Sequence, residues 1–208
     1  MKSVSIFAGL LLTISAGFAQ AAPVFTLSAP GETTTSVADT ITIDFESGCS
    51  YVSCDGQFQI VTGSVEGQYA QPAGTSSYYL SVPNPQANGS VLLTLGTTSD
   101  YFGLFWGSVD TYNSIIFYLG GVEVGSFGGL DVAPPADGNQ QAEATNRYVN
   151  FWFQNGEMYD AVRLSSNGFA FESDNHAYRV TASVPEPAAA LLMLISLLGL
   201  VSARNRQA

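Results

Sequence analysis

The sequence predicts an all-β domain, an antiparallel β-sandwich of the jelly-roll type. The first observation is alternation: in residues 40–46 (TITIDFE) every second side chain is apolar, as in a half-buried strand. The second is the regular spacing of such short segments between breaks rich in Gly, Pro and Asn, which is typical of sandwiches. The third is that no interior segment carries apolar residues at helical spacing over a useful length.

The segments with this alternation are predicted as strands. They are residues 40–46, 57–62, 77–82, 90–95, 101–106, 114–119, 122–127, 148–154, 160–165, 168–172 and 176–182. Gly120-Gly121 separates two of them and predicts a two-residue hairpin turn, because both glycines can adopt positive φ. Residues 128–145 contain Pro-Pro and Asp-Gly-Asn turn sequences and are predicted as a long surface loop.

The N-terminal residues predict a signal peptide. Lys2 supplies a minimal positive charge, residues 4–18 are mostly apolar, and Ala19-Gln20-Ala21 fits a cleavage site with small residues. We therefore expect residues 1–22 to form a signal helix that is removed on export. Residues 23–183 are then the mature β-sandwich domain.

The C-terminal residues 184–208 combine a rigid break, an apolar run and a basic end. Pro187 suits the first turn of a helix, and residues 188–203 as a helix would span roughly 24 Å. A hydrocarbon core is about 30 Å thick, so this helix is short for a permanent anchor. A weak anchor or a buried core helix is the alternative interpretation. The residues that define the pattern are Val184, Pro185, Glu186, Pro187, Arg204 and Arg206.

This three-part order resembles the sorting tail of PEP-CTERM proteins, which Gram-negative bacteria export and process with a membrane enzyme called exosortase. Residues 100–113, 146–151 and 170–175 are similar to segments of other exosortase-dependent surface proteins. The resemblance implies cleavage near Glu186 by an exosortase-type partner, after a transient stay in the inner membrane. It also implies delivery to the cell surface or extracellular matrix, with a structural or adhesive role.

The predicted mature domain is strongly acidic. It contains no lysine, and its three arginines set against 16 acidic residues give a net charge of −13. Binding to nucleic acid or to anionic lipid headgroups depends on Lys and Arg to neutralise phosphates. Nucleic acid is therefore excluded as a partner, and association with the membrane is expected only through the tail before processing.

Cys49 and Cys54 are predicted to form a disulfide. They lie close together in a chain that carries an export signal, and the compartment outside the cytoplasm is oxidising. Closing so short a loop stabilises the fold by roughly 2 kcal/mol in the chain-entropy estimate. Metal binding by this pair is disfavoured, because no histidine lies nearby in the sequence.

The sequence does not predict an enzyme. His176 is its single histidine, and no Gly-x-Ser-x-Gly segment is present to expose a nucleophile. Metallohydrolase sites need two or more histidines at ligand spacing. Paired carboxylates are still compatible with glycoside hydrolysis, which needs two of them in one cleft.

Two oxygen-rich groups are candidates for a structural Ca²⁺ site. Asp44 and Glu46 are two residues apart in a predicted strand and so share one face. Glu172, Asp174 and Asn175 form the second group. Calcium takes carboxylate and carbonyl oxygens as ligands. The alternative is a solvated acidic surface, because no EF-hand spacing is present.

Residues 148–154 (YVNFWFQ) predict a strand with one apolar face and one face that could bind saccharide. The second face offers two flat rings and two amides, which suit the apolar faces and the hydroxyl groups of a sugar such as exopolysaccharide. The alternative is that a loop covers this face, since Trp is highly buried on average. The candidate ligand-binding residues are Tyr148, Asn150, Trp152 and Gln154.

Overall fold

The structure is a computed structural model that describes residues 22–180. These residues form twelve β-strands and one single-turn helix. The elements are β1 (Val24–Leu27), β2 (Thr40–Ile43), β3 (Ser53–Gly56), β4 (Gln59–Val61), β5 (Tyr79–Val82), β6 (Gly89–Ser99), β7 (Tyr101–Gly107), β8 (Asn113–Leu119), β9 (Val122–Gly128), α1 (Gly129–Val132), β10 (Arg147–Trp152), β11 (Tyr159–Ser166) and β12 (Phe171–Arg179).

The predicted signal helix, apart from Ala22, and the predicted sorting tail lie outside the described residues. Within residues 22–180, no helix has the length and apolar character needed to cross a membrane. The signal-peptide and sorting-tail assignments therefore stay predictions from the sequence.

The strands form two antiparallel sheets that pack face to face. The large sheet has seven strands in the order β1-β10-β7-β12-β5-β4, with β2 also paired to β12, and the small sheet has the order β3-β6-β11-β8-β9. From β5 onward the chain crosses repeatedly between the sheets. Among the described strands, only β4–β5 and β8–β9 pair sequence neighbours. Such crossing between two sheets is the pattern found in jelly rolls. The predicted all-β, antiparallel sandwich is confirmed.

Aromatic side chains from both sheets meet in the core. The ring centroid of Phe117 in the small sheet lies 5.8 Å from Phe102 and 5.2 Å from Phe151, both in the large sheet. Phe153 and Tyr159 each lie 5.2 Å from the same ring. Aromatic pairs at these separations add about 0.5–1.5 kcal/mol to the free energy gained from burial. Phe117 therefore connects the two sheets at their centre.

Some predicted elements have different boundaries in the structure. The strands predicted at 168–172 and 176–182 are one strand, β12, which has a bulge between Asp174 and Ala177. Asn175, inside that bulge, has φ 49. The bulge interrupts the alternation of apolar and polar residues, and for this reason the pattern suggested a break. The predicted loop 128–145 contains the short helix α1, and β1 and β3 were not predicted.

Two local predictions are confirmed. Gly120 and Gly121 form the β8–β9 turn with φ 57 and 81, values that glycine adopts without a steric cost. Cys49 and Cys54 form a disulfide, which links the segment after β2 to the beginning of β3.

Candidate functional site

A polar cleft with a volume of about 720 Å³ lies between loops that connect the strands. One wall is residues 64–70, between β4 and β5. A second consists of residues 108–112, which follow β7, and residues 137–140, which follow α1. Residues 169–172 complete the cleft at the beginning of β12. Ligand sites in proteins are commonly concave pockets of about 300–1,000 Å³ with a few convergent polar groups.

Glu172 provides a buried carboxyl group at this cleft. Glu172 is only 2% exposed. Its Oε1 accepts a hydrogen bond from the Ala70 backbone N–H at 2.9 Å, and its Oε2 accepts one from the Ser108 hydroxyl at 2.8 Å. Burial raises the pKa of Glu172 to about 8, although both hydrogen bonds act in the opposite direction. The group is therefore mostly protonated at neutral pH, and the Ser108 oxygen can then accept its proton.

Asp110 and Asp137 bring two more carboxylates to the second wall. The two residues form an isolated antiparallel bridge, and the Gly138 backbone N–H donates to the Val109 carbonyl at 3.1 Å. A Cβ at Gly138 would lie 2.3 Å from Asp110 Oδ1, and Gly138 has φ 68, so this position requires glycine. Burial raises the pKa of Asp110, and the charge of Asp137 adds to the increase.

Two tyrosines supply ring surfaces at the cleft. Tyr112 is 37% exposed, and its hydroxyl donates to the Phe169 carbonyl at 2.8 Å, which holds the ring in place. Tyr69 is half-buried, and its ring packs against Tyr79 with centroids 6.4 Å apart. A ring held in this way presents an apolar face beside the carboxylates. The cleft thus combines apolar faces with strong hydrogen-bond acceptors.

The arginines of the described domain are engaged elsewhere. Arg179 forms an ion pair with Asp100 at 2.7 Å, and Arg163 lies over the Tyr118 ring at 5.1 Å. Arg147 donates to the backbone carbonyl of residue 28. Among the residues that line the cleft, none is Lys, Arg or His. The carboxylates of the cleft therefore have no basic side chain beside them in the lining.

The face predicted as a saccharide platform is covered, which corrects that prediction. Tyr148 is completely buried and Asn150 is 7% exposed. The Tyr148 hydroxyl donates to the Asn175 carbonyl at 3.0 Å, and Asn150 Nδ2 donates to Ser28 Oγ at 3.1 Å. The physical reason is that the Asn175 bulge and the irregular segment after β1 satisfy the polar groups of this face; the Asn175 side chain in turn donates to the Thr33 carbonyl.

The other two residues of that predicted face are more accessible. Trp152 is half-buried, with its ring 4.7 Å from Tyr101, and its Nε1 donates to Thr26 Oγ1 at 3.2 Å. Gln154 is exposed and follows the end of β10. With Tyr148 and Asn150 covered, these two side chains do not form the flat platform that the sequence predicted.

The residues predicted to bind calcium lie in two separate places. Glu172 belongs to the cleft, whereas Asp174 lies near Asp44 and Glu46. Burial raises the pKa of Asp174 to about 6; its hydrogen bonds with Asn175 and Ser77 lower it, and the two nearby carboxylates add to the increase. Within residues 22–180, no group of three or more His, Cys, Asp or Glu side chains could hold a metal ion. The described residues therefore give no support to a calcium site.

Asp44 and Glu46 do not share a strand face, contrary to the prediction. β2 ends at Ile43, and Phe45 has φ 62, which turns the chain away from an extended strand. The Phe45 ring is buried and packs 4.9 Å from the His176 ring. Glu46 accepts a hydrogen bond from the Tyr78 backbone N–H at 2.9 Å.

His176 is part of the core. It is completely buried, with Nδ1 2.9 Å from the Tyr51 hydroxyl and Nε2 2.9 Å from Ser173 Oγ. Burial lowers the pKa of His176 to about 3, so the ring is neutral at physiological pH. A solvent-borne ligand cannot reach this side chain in the described fold.

The sequence analysis missed the cleft, with the exception of Glu172. Asp110, Tyr112 and Asp137 lie in loops without a known motif, and their proximity depends on the pairing of distant segments. One usable signal was present: Asp137-Gly138 is a turn sequence inside the predicted long loop, and Asp110 lies four residues after the end of the predicted strand 101–106. Carboxylates in loops that follow neighbouring strands are candidates for a common site.

Comparisons with known proteins do not assign this site. No protein-family model matches the sequence, and no curated protein matches it. Among solved structures, one described as "CpGH89CBM32-6 produced by Clostridium perfringens" is similar at a TM-score of 0.35 and 14% sequence identity. The alignment covers 61% of this chain and 94% of that chain. At this TM-score the similarity carries no argument about function.

Proposed function

We propose that the protein is an exported cell-surface or extracellular-matrix component whose β-sandwich binds a saccharide in the cleft. The observation that carries this proposal is the convergence of the Glu172, Asp110 and Asp137 carboxyl groups beside the exposed ring of Tyr112. Carboxyl oxygens accept hydrogen bonds from sugar hydroxyls, and a tyrosine ring covers the apolar C–H face of a sugar. The proposed role is adhesive or structural, with the exopolysaccharide of the cell as the partner.

Export and sorting are the second part of this proposal. The signal-peptide pattern of residues 1–22 and the tail of residues 184–208 support them. The Cys49–Cys54 disulfide also supports export, because disulfides persist in oxidising compartments. An exosortase-type enzyme would cleave near Glu186 and release the domain from the inner membrane. In this proposal the tail is cleaved before the cleft binds its saccharide.

Replacement of the Pro185-Glu186-Pro187 break by three alanines is expected to stop processing. Without the break, the enzyme lacks its recognition site, and the apolar run stays attached to the domain. Intact mass measured on protein from the host's surface, medium and inner membrane tests this. The wild-type protein should end near Glu186, whereas the variant should retain residues up to Ala208 in the membrane fraction. A Ser183→Ala control should be processed, and normal export of the triple variant would refute the sorting proposal.

Tyr112→Ala is expected to weaken saccharide binding about tenfold, the effect typical of losing one ring contact in a site. Affinity electrophoresis of the exported protein in gels containing the host's exopolysaccharide measures this loss. Tyr78→Ala is the matched control, because Tyr78 is 45% exposed and does not line the cleft. Equal retardation of both variants would show that the saccharide does not bind in the cleft. Release of reducing sugar in the same mixtures would indicate a glycan-cleaving enzyme instead.

A further inference from the structure

The lining of the cleft constrains the charge of its ligand. Carboxyl groups reach it from all of its segments: Glu66 from the first wall, Asp110 and Asp137 from the second, and Glu172 from β12. None of the other lining residues is basic. No side chain of the lining therefore neutralises the negative charge of these groups. The predicted mature domain as a whole also carries a net negative charge.

The Asp110 and Asp137 carboxylates repel each other, and the charge of Asp110 helps to keep the Glu172 carboxyl group protonated. Besides burial, the charge of Asp110 contributes to the raised pKa of Glu172, and the charge of Asp137 contributes to that of Asp110. A ligand with positive charge would relieve this repulsion, whereas a ligand with carboxylate, sulfate or phosphate groups would increase it. Uronic-acid and sulfated polymers are therefore poor candidates for this cleft.

A single metal ion does not fit the arrangement. Among the described residues, no three carboxylate, Cys or His side chains are close enough to hold one. The carboxyl groups are instead distributed over the walls of a cleft that has room for an extended molecule. Such a distribution suits a ligand whose positive charges are spaced along a chain.

We infer that the cleft selects a saccharide with free amino groups, such as a polymer that contains glucosamine units. This inference rests on the proposed function, since it specifies the saccharide that the same cleft binds. The Tyr112 and Tyr69 rings favour sugar units over a simple polyamine, because they offer apolar faces of the kind that pyranose rings cover. The protonated amines then meet the Asp110 and Asp137 carboxylates, which are charge-assisted acceptors.

Calorimetric titration of the purified exported protein, at mildly acidic pH where the amines are protonated, tests this inference. The ligands are a glucosamine tetramer and an N-acetylglucosamine tetramer, which share a backbone and differ in charge, with a uronic-acid tetramer and tetralysine for comparison. We expect the glucosamine tetramer to bind about tenfold more tightly than the acetylated one, as expected for a charge-assisted contact. The uronic-acid tetramer should not bind, and tetralysine should bind at least tenfold more weakly.

Asp137→Asn separates the local effect from the overall charge. Asp137 is exposed, and asparagine keeps the acceptor for the Asn139 backbone N–H, so the fold should be retained. We expect this variant to lose most of the preference for the glucosamine tetramer. Glu123→Gln changes the net charge equally on an exposed part of β9 away from the cleft, and it should keep the preference. Equal losses in both variants would overturn the inference, because the selectivity would come from overall charge.

The remaining outcomes distinguish the inference from the function on which it rests. Equal or tighter binding of the acetylated tetramer would overturn the inference and leave a saccharide-binding cleft. Equal binding of tetralysine would also overturn it, since the cleft would then recognise charge without recognising sugar. If no saccharide binds, and Tyr112→Ala changes nothing in the exopolysaccharide gels, the proposed function itself is wrong.

Discussion

Replacing Phe117 with alanine is expected to lower the free energy of unfolding by about 4 kcal/mol, within the range for buried aromatic residues. Phe117 is completely buried and contacts rings of both sheets, among them Phe102 and Phe151. Truncation removes these contacts and leaves a cavity between the sheets, which the surrounding strands can fill only partly. Denaturant titration monitored by tyrosine and tryptophan fluorescence measures the loss.

The control for this substitution is Leu119→Ala in the same strand. Leu119 is 36% exposed at the end of β8, so its truncation should cost less than about 1 kcal/mol. A comparable loss in both variants would mean that the two sheets are not held together through the Phe117 ring. An unchanged midpoint in Phe117→Ala would contradict the packing described above.

Glu172→Gln is expected to stabilise the protein by about 5 kcal/mol at about pH 9 and by less than about 1 kcal/mol near about pH 5. The pKa of Glu172 is about 8 in the folded protein against an ordinary value of 4.5, because burial disfavours the charged form. The folded state therefore holds this proton more tightly than the unfolded state. Its contribution to stability is complete below 4.5 and is lost as the pH rises through 8. Glutamine resembles the protonated acid and does not ionise.

Denaturant midpoints of the wild type and the variant at about pH 5 and about pH 9 measure this difference. Two other groups, Asp174 and His176, also make the stability depend on pH. Their contributions are the same in the wild type and the variant, so they cancel in the difference between the two proteins. Asp174 has a pKa raised to about 6 and also loses stabilisation as the pH rises. His176 has a pKa lowered to about 3, so its contribution is complete above the ordinary value of 6.5 and decreases as the pH falls. The control Glu123→Gln should have the same denaturant midpoints as the wild type at both pH values. If Glu172→Gln also has the wild-type midpoints at both pH values, the pKa of Glu172 is not raised in the folded protein.

Much of the fold could be predicted because alternation is a local property of the chain. The two-residue turn at Gly120-Gly121 and the half-buried strands follow from residue types alone. The prediction was least accurate where burial is decided by distant segments. Residues 171–174 are all buried, because loops such as those of Ala70 and Ser108 cover the face of β12 that points away from the core, and the alternation is lost. The bulge at Asn175 hid the continuity of this strand.

The site was less predictable than the fold. Whether the face of Tyr148 is open depends on Ser28, which binds Asn150 from more than a hundred positions earlier in the chain, and on Asn175, which binds Tyr148; no pattern in 148–154 reveals that cover. The cleft depends on the hydrogen bond between Glu172 and the Ala70 backbone N–H, which joins segments with no shared motif. The residue type alone marked Glu172 as a candidate ligand-binding group. Only the pairing of strands identifies its neighbours.

If the protein is exported as proposed, the position of β12 determines when the large sheet can close. The large sheet places this last described strand in its interior, where it pairs with β2, β5 and β7. In a chain that crosses a membrane from its N-terminus, β2, β5 and β7 emerge before β12. These three strands cannot form their pairs with β12 until it has emerged as well. The large sheet cannot close until residues 171–179 have emerged. In the proposed export, translocation of nearly the whole domain would therefore precede the closing of the large sheet.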